Sequence, residues 1–208
     1  MRISYAIPVC TEHTELEKLV KFLRPLIREQ DEIVVQVDAT NATPEVTELT
    51  NEWRHNKDIK VTYFDFKGNF ANLKNNLKNQ CTGDYIFQID ADEIPHSYLI
   101  GLLPTLFKHN PNVDLFLVPR INIVNGLTQD HIKKWGWQVN EKGWVNFPDS
   151  QMRILKNEPT IQWASKVHEI VVGYKQYVVL PFEEKFTLYH EKDIGRQEMQ
   201  NAFYDSLS

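Results

Sequence analysis

The chain has 208 residues, of which 42% are hydrophobic, and this length suffices for one sizeable globular domain. A formal net charge of −5 without a basic stripe argues against a general nucleic-acid binder. Two cysteines are too few for a disulfide framework or a zinc cluster, so we expect free thiols. The first strand-like run follows Met1 directly, and no apolar run reaches about 18 residues. We therefore expect a cytoplasmic protein without a transmembrane segment.

Strand-like apolar runs alternate with helical periodicity along the first 120 residues. We predict strands at residues 3–9, 33–37, 60–64, 85–89, 115–118 and 177–180. We predict helices at residues 16–23, from residues 43–45 onward, and at residues 71–79 and 99–107, and an amphipathic stretch at residues 197–207 permits another. Pro25 lies within the first helical pattern, so that helix should kink or stop early. The alternation predicts an α/β fold with a mostly parallel central sheet flanked by helices.

Three carboxylates, Asp90, Asp92 and Glu93, fall within four positions directly after a predicted strand. Like charges this close repel one another unless a cation or a ring of donors compensates them. Carboxylate oxygens suit Mg²⁺ or Mn²⁺, which complete their coordination with water and substrate phosphates. The pattern indicates a metal site for a phosphorylated ligand, but it also fits a solvated turn whose acids cap a helix beginning near Ser97.

Polar residues also follow the other predicted strands. In a largely parallel sheet, ligands bind at the carboxyl ends of strands near a topological switch point. The residues at these ends are Thr11, Glu12, Asp38, Asp65, Lys67, Asp90 and Asp92. Each alone is also consistent with an ordinary loop residue, whereas together they predict one polar crevice.

Aromatic residues are concentrated at residues 133–153, which we interpret as a long functional loop. Trp135, Trp137 and Trp144 lie within ten positions, among glycines and asparagines. Aromatic faces can stack on a sugar ring while neighbouring amides bind its hydroxyls. A small hydrophobic cluster beneath the loop would give the same composition.

Two histidines occur in defined settings near the end of the chain. His168 precedes Glu169, and His190 ends the run Leu188-Tyr189-His190. A neutral imidazole can bind Mn²⁺, and Glu169 could accept a proton from a substrate hydroxyl if the fold brings it to the crevice. A structural role for either histidine is equally compatible with the spacing.

These motifs, in this order, resemble family-2 glycosyltransferases with the nucleotide-sugar-binding GT-A fold. The resemblance is closest to small bacterial and viral transferases that modify lipopolysaccharide cores or other glycans. The matching segments are residues 3–12, 33–38, 68–75, 83–93, 149–155, 167–169 and 188–190. The resemblance implies a single domain over residues 1–208. In it, residues 1–120 form the nucleotide-sugar half, and residues 121–208 form an irregular acceptor and catalytic half.

The resemblance also assigns roles to individual residues. The donor site would comprise Pro8, Val9, Thr11, Glu12, Asp38, Gly68, Asn69, Lys74, Asp90, Ala91 and Asp92. Metal ligands would be Asp90, Asp92 and His190, and acceptor-binding residues Trp135, Trp137, Trp144 and Arg153. The family's usual base lies in an acidic pair, whereas here a histidine precedes the acid. Glu169, His168 and Asp149 are therefore all candidates for the base, with Glu169 preferred.

The implied reaction is metal-dependent and inverting. A Mn²⁺ or Mg²⁺ ion would stabilise the leaving diphosphate of a nucleotide-sugar, most simply a UDP-sugar, while the base deprotonates a hydroxyl of a glycan or lipid-linked acceptor. Alternatives are a non-catalytic sugar- or nucleotide-binding module and a phosphotransferase of the haloacid dehalogenase type. Against the latter, Asp90 follows three strand-helix units, whereas the nucleophile of that class ends the first strand. A nucleotidyltransferase would require a glycine-rich loop at residues 8–12, which contain no glycine.

Overall fold

The computed structural model describes the backbone of residues 1–207 and the side chains of residues 1–202. This part of the chain contains eleven strands and six α-helices. The strands are β1 (Ile3–Val9), β2 (Glu32–Asp38), β3 (Ile59–Phe64), β4 (Tyr85–Gln88), β5 (Glu93–Pro95), β6 (Leu115–Asn125), β7 (Val145–Lys156), β8 (Gln162–Ala164), β9 (Ile170–Val172), β10 (Tyr177–Val179) and β11 (Leu188–Asp193). The helices are α1 (His13–Leu23), α2 (Pro44–Trp53), α3 (Phe70–Gln80), α4 (Ser97–His109), α5 (Gln129–Trp135) and α6 (Ile194–Leu207).

Nine strands form one central sheet in the order β3-β2-β1-β4-β7-β6-β11-β5, with β10 pairing β6 beside β11. The β1, β2, β3 and β4 pairings are parallel, as are those of β6 with β10 and β11, whereas β7 runs antiparallel between β4 and β6. This confirms the predicted α/β class and mostly parallel sheet. Strand order reverses between β1 and β4, which makes their carboxyl ends the expected ligand site.

The sheet is covered on both faces, and for this reason its central strands are buried and mainly apolar. All seven residues of β2 are buried. One core cluster joins α1, α2 and α4 to the sheet, and a second lies under α3 and the β8–β9 hairpin. No helix in residues 1–207 has the length and apolar character that a membrane span requires.

Local signals set the helix ends. The predicted early stop before Pro25 is confirmed, since α1 ends at Leu23. The Thr43 hydroxyl accepts a hydrogen bond from the amide of Val46, and Pro44 occupies the first helical position of α2. At the start of α3, Asn69 caps through its side chain, which fixes the turn that precedes the helix.

The prediction of a long loop at residues 133–153 is wrong at both ends. Residues 133–135 complete α5, which the side chain of Thr128 caps, and Gly136 ends it in a left-handed conformation. Residues 145–153 belong to β7, which pairs with β6 along most of its length and with β4 at residues 154–156. The pairing of β7 depends on β4 and β6, which are distant in sequence, so local periodicity does not reveal it. The irregular segment is residues 136–144.

Candidate active site

Two cavities meet where the carboxyl ends of the parallel strands face β6 and β7. The first, here called the strand-end cavity, has a volume of about 620 Å³ and lies at the ends of β1, β2 and β4. The second, the lateral cavity, has a volume of about 580 Å³ and lies over β6 and β7. Five residues line both and are here called the junction: Lys74, Asp90, Asp92, Glu169 and Gln200.

The strand-end cavity collects much of the predicted donor site. Of the residues predicted to bind the nucleotide-sugar, those that line this cavity away from the junction are Pro8, Val9, Glu12, Asp38, Gly68 and Ala91. Two others have local roles. Asn69 caps α3, and the Thr11 hydroxyl lies 3.4 Å from Glu12 Oε1.

Asp38 organises the loops at the base of the strand-end cavity. Its carboxylate accepts hydrogen bonds from the backbone amide of Thr40 at 3.0 Å and from Asn41 Nδ2 at 2.8 Å. Cys10 Sγ lies 3.7 Å from Asp38 Oδ2. Burial, and then the negative charges nearby, raise the pKa of Cys10 to about 12. The thiol is therefore protonated near neutral pH.

Asp92 and His190 form the part of the site best suited to a metal ion. Asn122 Nδ2 donates to Asp149, which directs Asn122 Oδ1 toward His190 Nδ1 at 2.8 Å. His190 Nδ1 therefore carries a proton, and Nε2 faces Asp92 Oδ2 at 3.3 Å. A neutral imidazole nitrogen and a carboxylate oxygen at this separation would both accept, so a cation between them fits this pair.

Other charges also act on Asp92. Burial opposes ionisation of Asp92, but its contact with His190 and the nearby Arg196 guanidinium hold its pKa well below the usual range. Arg196 Nη2 lies 3.3 Å from Asp92 Oδ2. Burial also lowers the pKa of Lys192, which lines the lateral cavity, to about 8. Among the described residues, no three His, Cys, Asp or Glu side chains form a metal-binding group, so substrate or water would complete any coordination.

Glu93, which the sequence placed with the metal-site carboxylates, has a different role. Its side chain is fully buried, and Oε1 accepts from Arg120 Nη1 at 3.0 Å and from Arg153 Nη2 at 2.6 Å. Oε2 accepts the backbone amide of Asp90 at 3.2 Å. In the antiparallel pairing of β5 with β11, Glu93 lies opposite His190. The Glu93 carboxylate therefore binds two guanidinium groups and a backbone amide, and these contacts occupy both of its oxygens.

These two guanidiniums connect Glu93 to both cavities. Arg153 Nη2 donates to Asp90 at 2.5 Å, and Arg120 Nη2 donates to Asp149 at 2.7 Å. Burial disfavours both carboxylates, but the adjacent guanidinium outweighs it, and the pKa values of Asp90 and Asp149 are lowered. We call the row Asp90–Arg153–Glu93–Arg120–Asp149 the buried ionic row. Arg153, which was predicted to bind the acceptor, thus donates its hydrogen bonds to carboxylates of the protein itself.

Glu169, the preferred base, lies at the junction in direct contact with the ammonium of Lys74. Lys74 is buried, and its Nζ lies 4.4 Å from the ring centre of Trp163. The other two candidates line only the lateral cavity. Asp149 there accepts bonds from Arg120, and His168 has a left-handed backbone with φ of 53°. Of the three, Glu169 alone faces both cavities.

The three tryptophans divide between the cavity and its surroundings. Trp137 lines the lateral cavity. Trp135 packs against Trp137 at 4.6 Å between ring centres and stacks on His131 at 5.1 Å. Trp144 packs on Phe147 at 4.9 Å. Trp135 and Trp144 therefore support the rim of the region rather than line either cavity, and a small aromatic cluster exists beside any stacking surface.

Sequence reasoning missed several residues that shape the site. Arg120 carried a signal, since an arginine inside the apolar run of β6 needs a buried partner. Arg196 and Gln200 carried none, because their position depends on where α6 lies over the sheet. Asn122, which orients His190, is likewise brought near it only by the parallel pairing of β6 and β11.

The sequence model of glycosyl transferase family 2 matches residues 4–171. The structure is similar to crystal structures of S. aureus TarS 1–349 in complex with UDP-GlcNAc and with UDP. The TM-score is 0.64 for both, at 16% and 15% identity, over 92% of this chain and 59% and 61% of those chains. The chain thus spans about three fifths of their length. No curated protein matches it in sequence. The similarity confirms the predicted GT-A fold.

Proposed function

Because the chain belongs to glycosyl transferase family 2 and is an enzyme of that type, we propose that it transfers a sugar from a UDP-sugar to a hydroxyl of a glycan or lipid-linked acceptor. The observation that carries this proposal is the meeting of two cavities at Lys74, Asp90, Asp92 and Glu169. A glycosyl transfer breaks one bond in a donor site and forms another in an acceptor site. The anomeric carbon of the transferred sugar must therefore lie where the donor site and the acceptor site meet.

The strand-end cavity would hold the nucleotide. It lies at the topological switch point, and Asp38 stands at the end of β2 among loop amides. TarS, whose fold is similar, has been crystallised with UDP and UDP-GlcNAc, which supports UDP as the first nucleotide to test. Lys74, at the junction, places a positive charge beside the expected diphosphate.

Asp92 and His190 would hold Mn²⁺ or Mg²⁺. This pair of side chains fits such an ion because a carboxylate oxygen and an imidazole nitrogen lie close together, and Asn122 fixes the imidazole tautomer. When bound, a divalent ion neutralises negative charge on the leaving diphosphate. Asp90, paired with Arg153, would contact the donor ribose or metal-bound water rather than the ion itself.

Glu169 would remove the proton from the acceptor hydroxyl. A base at the junction, facing the donor from the lateral cavity, favours attack on the anomeric carbon from the side opposite the leaving diphosphate, which inverts its configuration. Departure of Lys74 toward the diphosphate would release the carboxylate of Glu169 for this step. Trp137 and the polar wall of the lateral cavity would receive the acceptor.

Calorimetric titration of UDP, GDP and TDP, with and without Mn²⁺, tests the donor site. We expect UDP to bind in a Mn²⁺-dependent way, and we expect Asp92→Ala to remove that dependence while the exposed control Asp130→Ala retains it. If none of the three nucleotides binds under either condition, the transferase function is wrong and a sugar-binding module becomes the better description.

Release of UDP from UDP-sugars, measured with and without glycan acceptors, tests the base. Glu169→Gln should lower kcat by roughly 10² to 10⁴ and leave the Kd for UDP within about threefold. The matched control Glu48→Gln, on the exposed side of α2, should keep parental kcat. Parental turnover in Glu169→Gln together with a loss in Asp149→Asn would assign the base to Asp149 instead.

A further inference from the structure

Helix α6 lies over the junction, and Arg196 near its start contacts three carboxylates of the neighbouring elements. Arg196 Nη1 donates to Glu15 at 2.7 Å, and Nη2 lies 3.1 Å from Glu12 and 3.3 Å from Asp92. Glu12 and Asp92 themselves line the strand-end cavity. One guanidinium therefore fastens the start of α6 to the loop after β1 and to the turn after β4.

This placement directs Gln200 into the site. Gln200 lies four residues after Arg196, one turn along the same side of α6, and it lines both cavities. Its Oε1 accepts a hydrogen bond from Lys192 Nζ at 2.7 Å. That bond fixes the orientation of the carboxamide and leaves the amide nitrogen as its hydrogen-bond donor.

Gln200 differs in chemistry from the other four junction residues. Lys74, Asp90, Asp92 and Glu169 are ionisable groups suited to diphosphate, metal or proton transfer. A neutral carboxamide suits the hydroxyl and amide groups of a sugar ring. The transferred sugar must occupy the junction, because its anomeric carbon leaves a donor in one cavity and joins an acceptor in the other.

We propose that Gln200 binds a hydroxyl or N-acetyl group of the transferred sugar and helps to determine which UDP-sugar is used. This inference rests on the proposed transferase function. It assigns sugar selection partly to α6, outside the segment that the family match covers, residues 4–171. Gln197 on the same helix lines only the lateral cavity, and its Nε2 donates to Asn201 at 2.8 Å. Gln197 should therefore influence the acceptor but not the choice of donor sugar.

The test compares kcat/KM for UDP-glucose, UDP-galactose, UDP-GlcNAc and UDP-GalNAc, together with the Kd for UDP. Gln200→Ala should lower kcat/KM for the preferred donor by roughly ten- to hundredfold and bring the four values closer together, while the Kd for UDP stays within about twofold. Gln200→Glu keeps the acceptor toward Lys192 but loses the amide donor, and should have a similar effect. Gln197→Ala and the exposed control Met199→Ala should keep the parental donor ratios.

The outcomes separate this inference from the function beneath it. A parent enzyme that discriminates among the donors, with unchanged ratios in Gln200→Ala and Gln200→Glu, overturns the role of Gln200 alone. An equal loss of UDP and UDP-sugar binding in those variants would place Gln200 on the nucleotide and also overturn the proposal. If the parent neither binds UDP nor releases it from any of the four donors, the transferase function fails, and the role of Gln200 fails with it.

Discussion

Replacing Glu93 with glutamine tests the buried ionic row directly. The substitution keeps the size of the side chain and one oxygen, which can still accept from Arg120 and Arg153. The new amide group then faces the backbone N–H of Asp90, which Glu93 Oε2 accepts at 3.2 Å in the parent. The guanidiniums of Arg153, which is buried, and Arg120, which is partly buried, also lose the negative charge between them.

The magnitude follows from burial. Breaking a buried ion pair costs about 3–5 kcal/mol, and Asp90 and Asp149 still balance the two guanidiniums, so we expect the lower end, about 3 kcal/mol. For a chain of this length, 1 kcal/mol corresponds to about 2–4 °C, so Tm should fall by roughly 6–12 °C. Both differential scanning calorimetry and urea unfolding measure this.

The matched control removes the charge of an exposed glutamate. Glu184 pairs with Lys142 at 3.1 Å, and both side chains are nearly half exposed or more. Glu184→Gln should leave Tm within about 2 °C. If Glu93→Gln also kept the parental Tm but weakened Mn²⁺-dependent UDP binding, Glu93 would be a metal ligand after all, and our reading of the row would be refuted.

Three further predictions concern other parts of the chain. The pKa of Cys10 is raised to about 12 from 9.0, so its thiolate fraction at pH 8 is about 10³-fold below that of an unperturbed thiol. Iodoacetamide should therefore alkylate Cys10 correspondingly slowly, as followed by mass spectrometry, and alkylation at the rate of a free thiol would contradict this. Gly173→Ala should lower the free energy of unfolding, measured in urea, by at least about 2 kcal/mol, because φ is +83° and a Cβ would lie 1.8 Å from the Thr160 carbonyl oxygen. The control Gly101→Ala, with open space around it, should not destabilise the protein. The pKa of Asp149 is lowered in the folded protein, so its stabilising contribution is complete above the usual carboxyl pKa and is lost as the pH falls through the lowered value. The difference in unfolding free energy between the parent and Asp149→Asn should therefore shrink from pH 7 toward pH 3, and a constant difference would argue against the Arg120 contact.

The first half of the fold could be predicted because its signals are local. Strands β1 and β2 are mainly apolar runs, Thr43 and Pro44 mark the start of α2, and residues 90–92 follow a buried strand. Each of these signals lies within a few residues of the feature that it specifies, so no knowledge of distant partners is needed.

The second half could not be predicted to the same depth because its structure depends on distant partners. Strand β7 exists through pairing with β4 and β6, and both of these strands precede it in the sequence, β4 by more than 50 residues. The three carboxylates at residues 90–93 look equivalent in the sequence, yet Arg153, which lies 60 residues beyond Glu93, separates their roles. The contacts of α6 likewise required the packed sheet.

The buried ionic row limits how such an enzyme can be redesigned. It joins the strand-end cavity to the lateral cavity through closely spaced charges, so a substitution within it should affect both cavities at once. Residues 136–144 and the inner side of α6 have no such link to the row among the hydrogen bonds described. Libraries aimed at new acceptors or sugars should vary those two segments and leave the row intact.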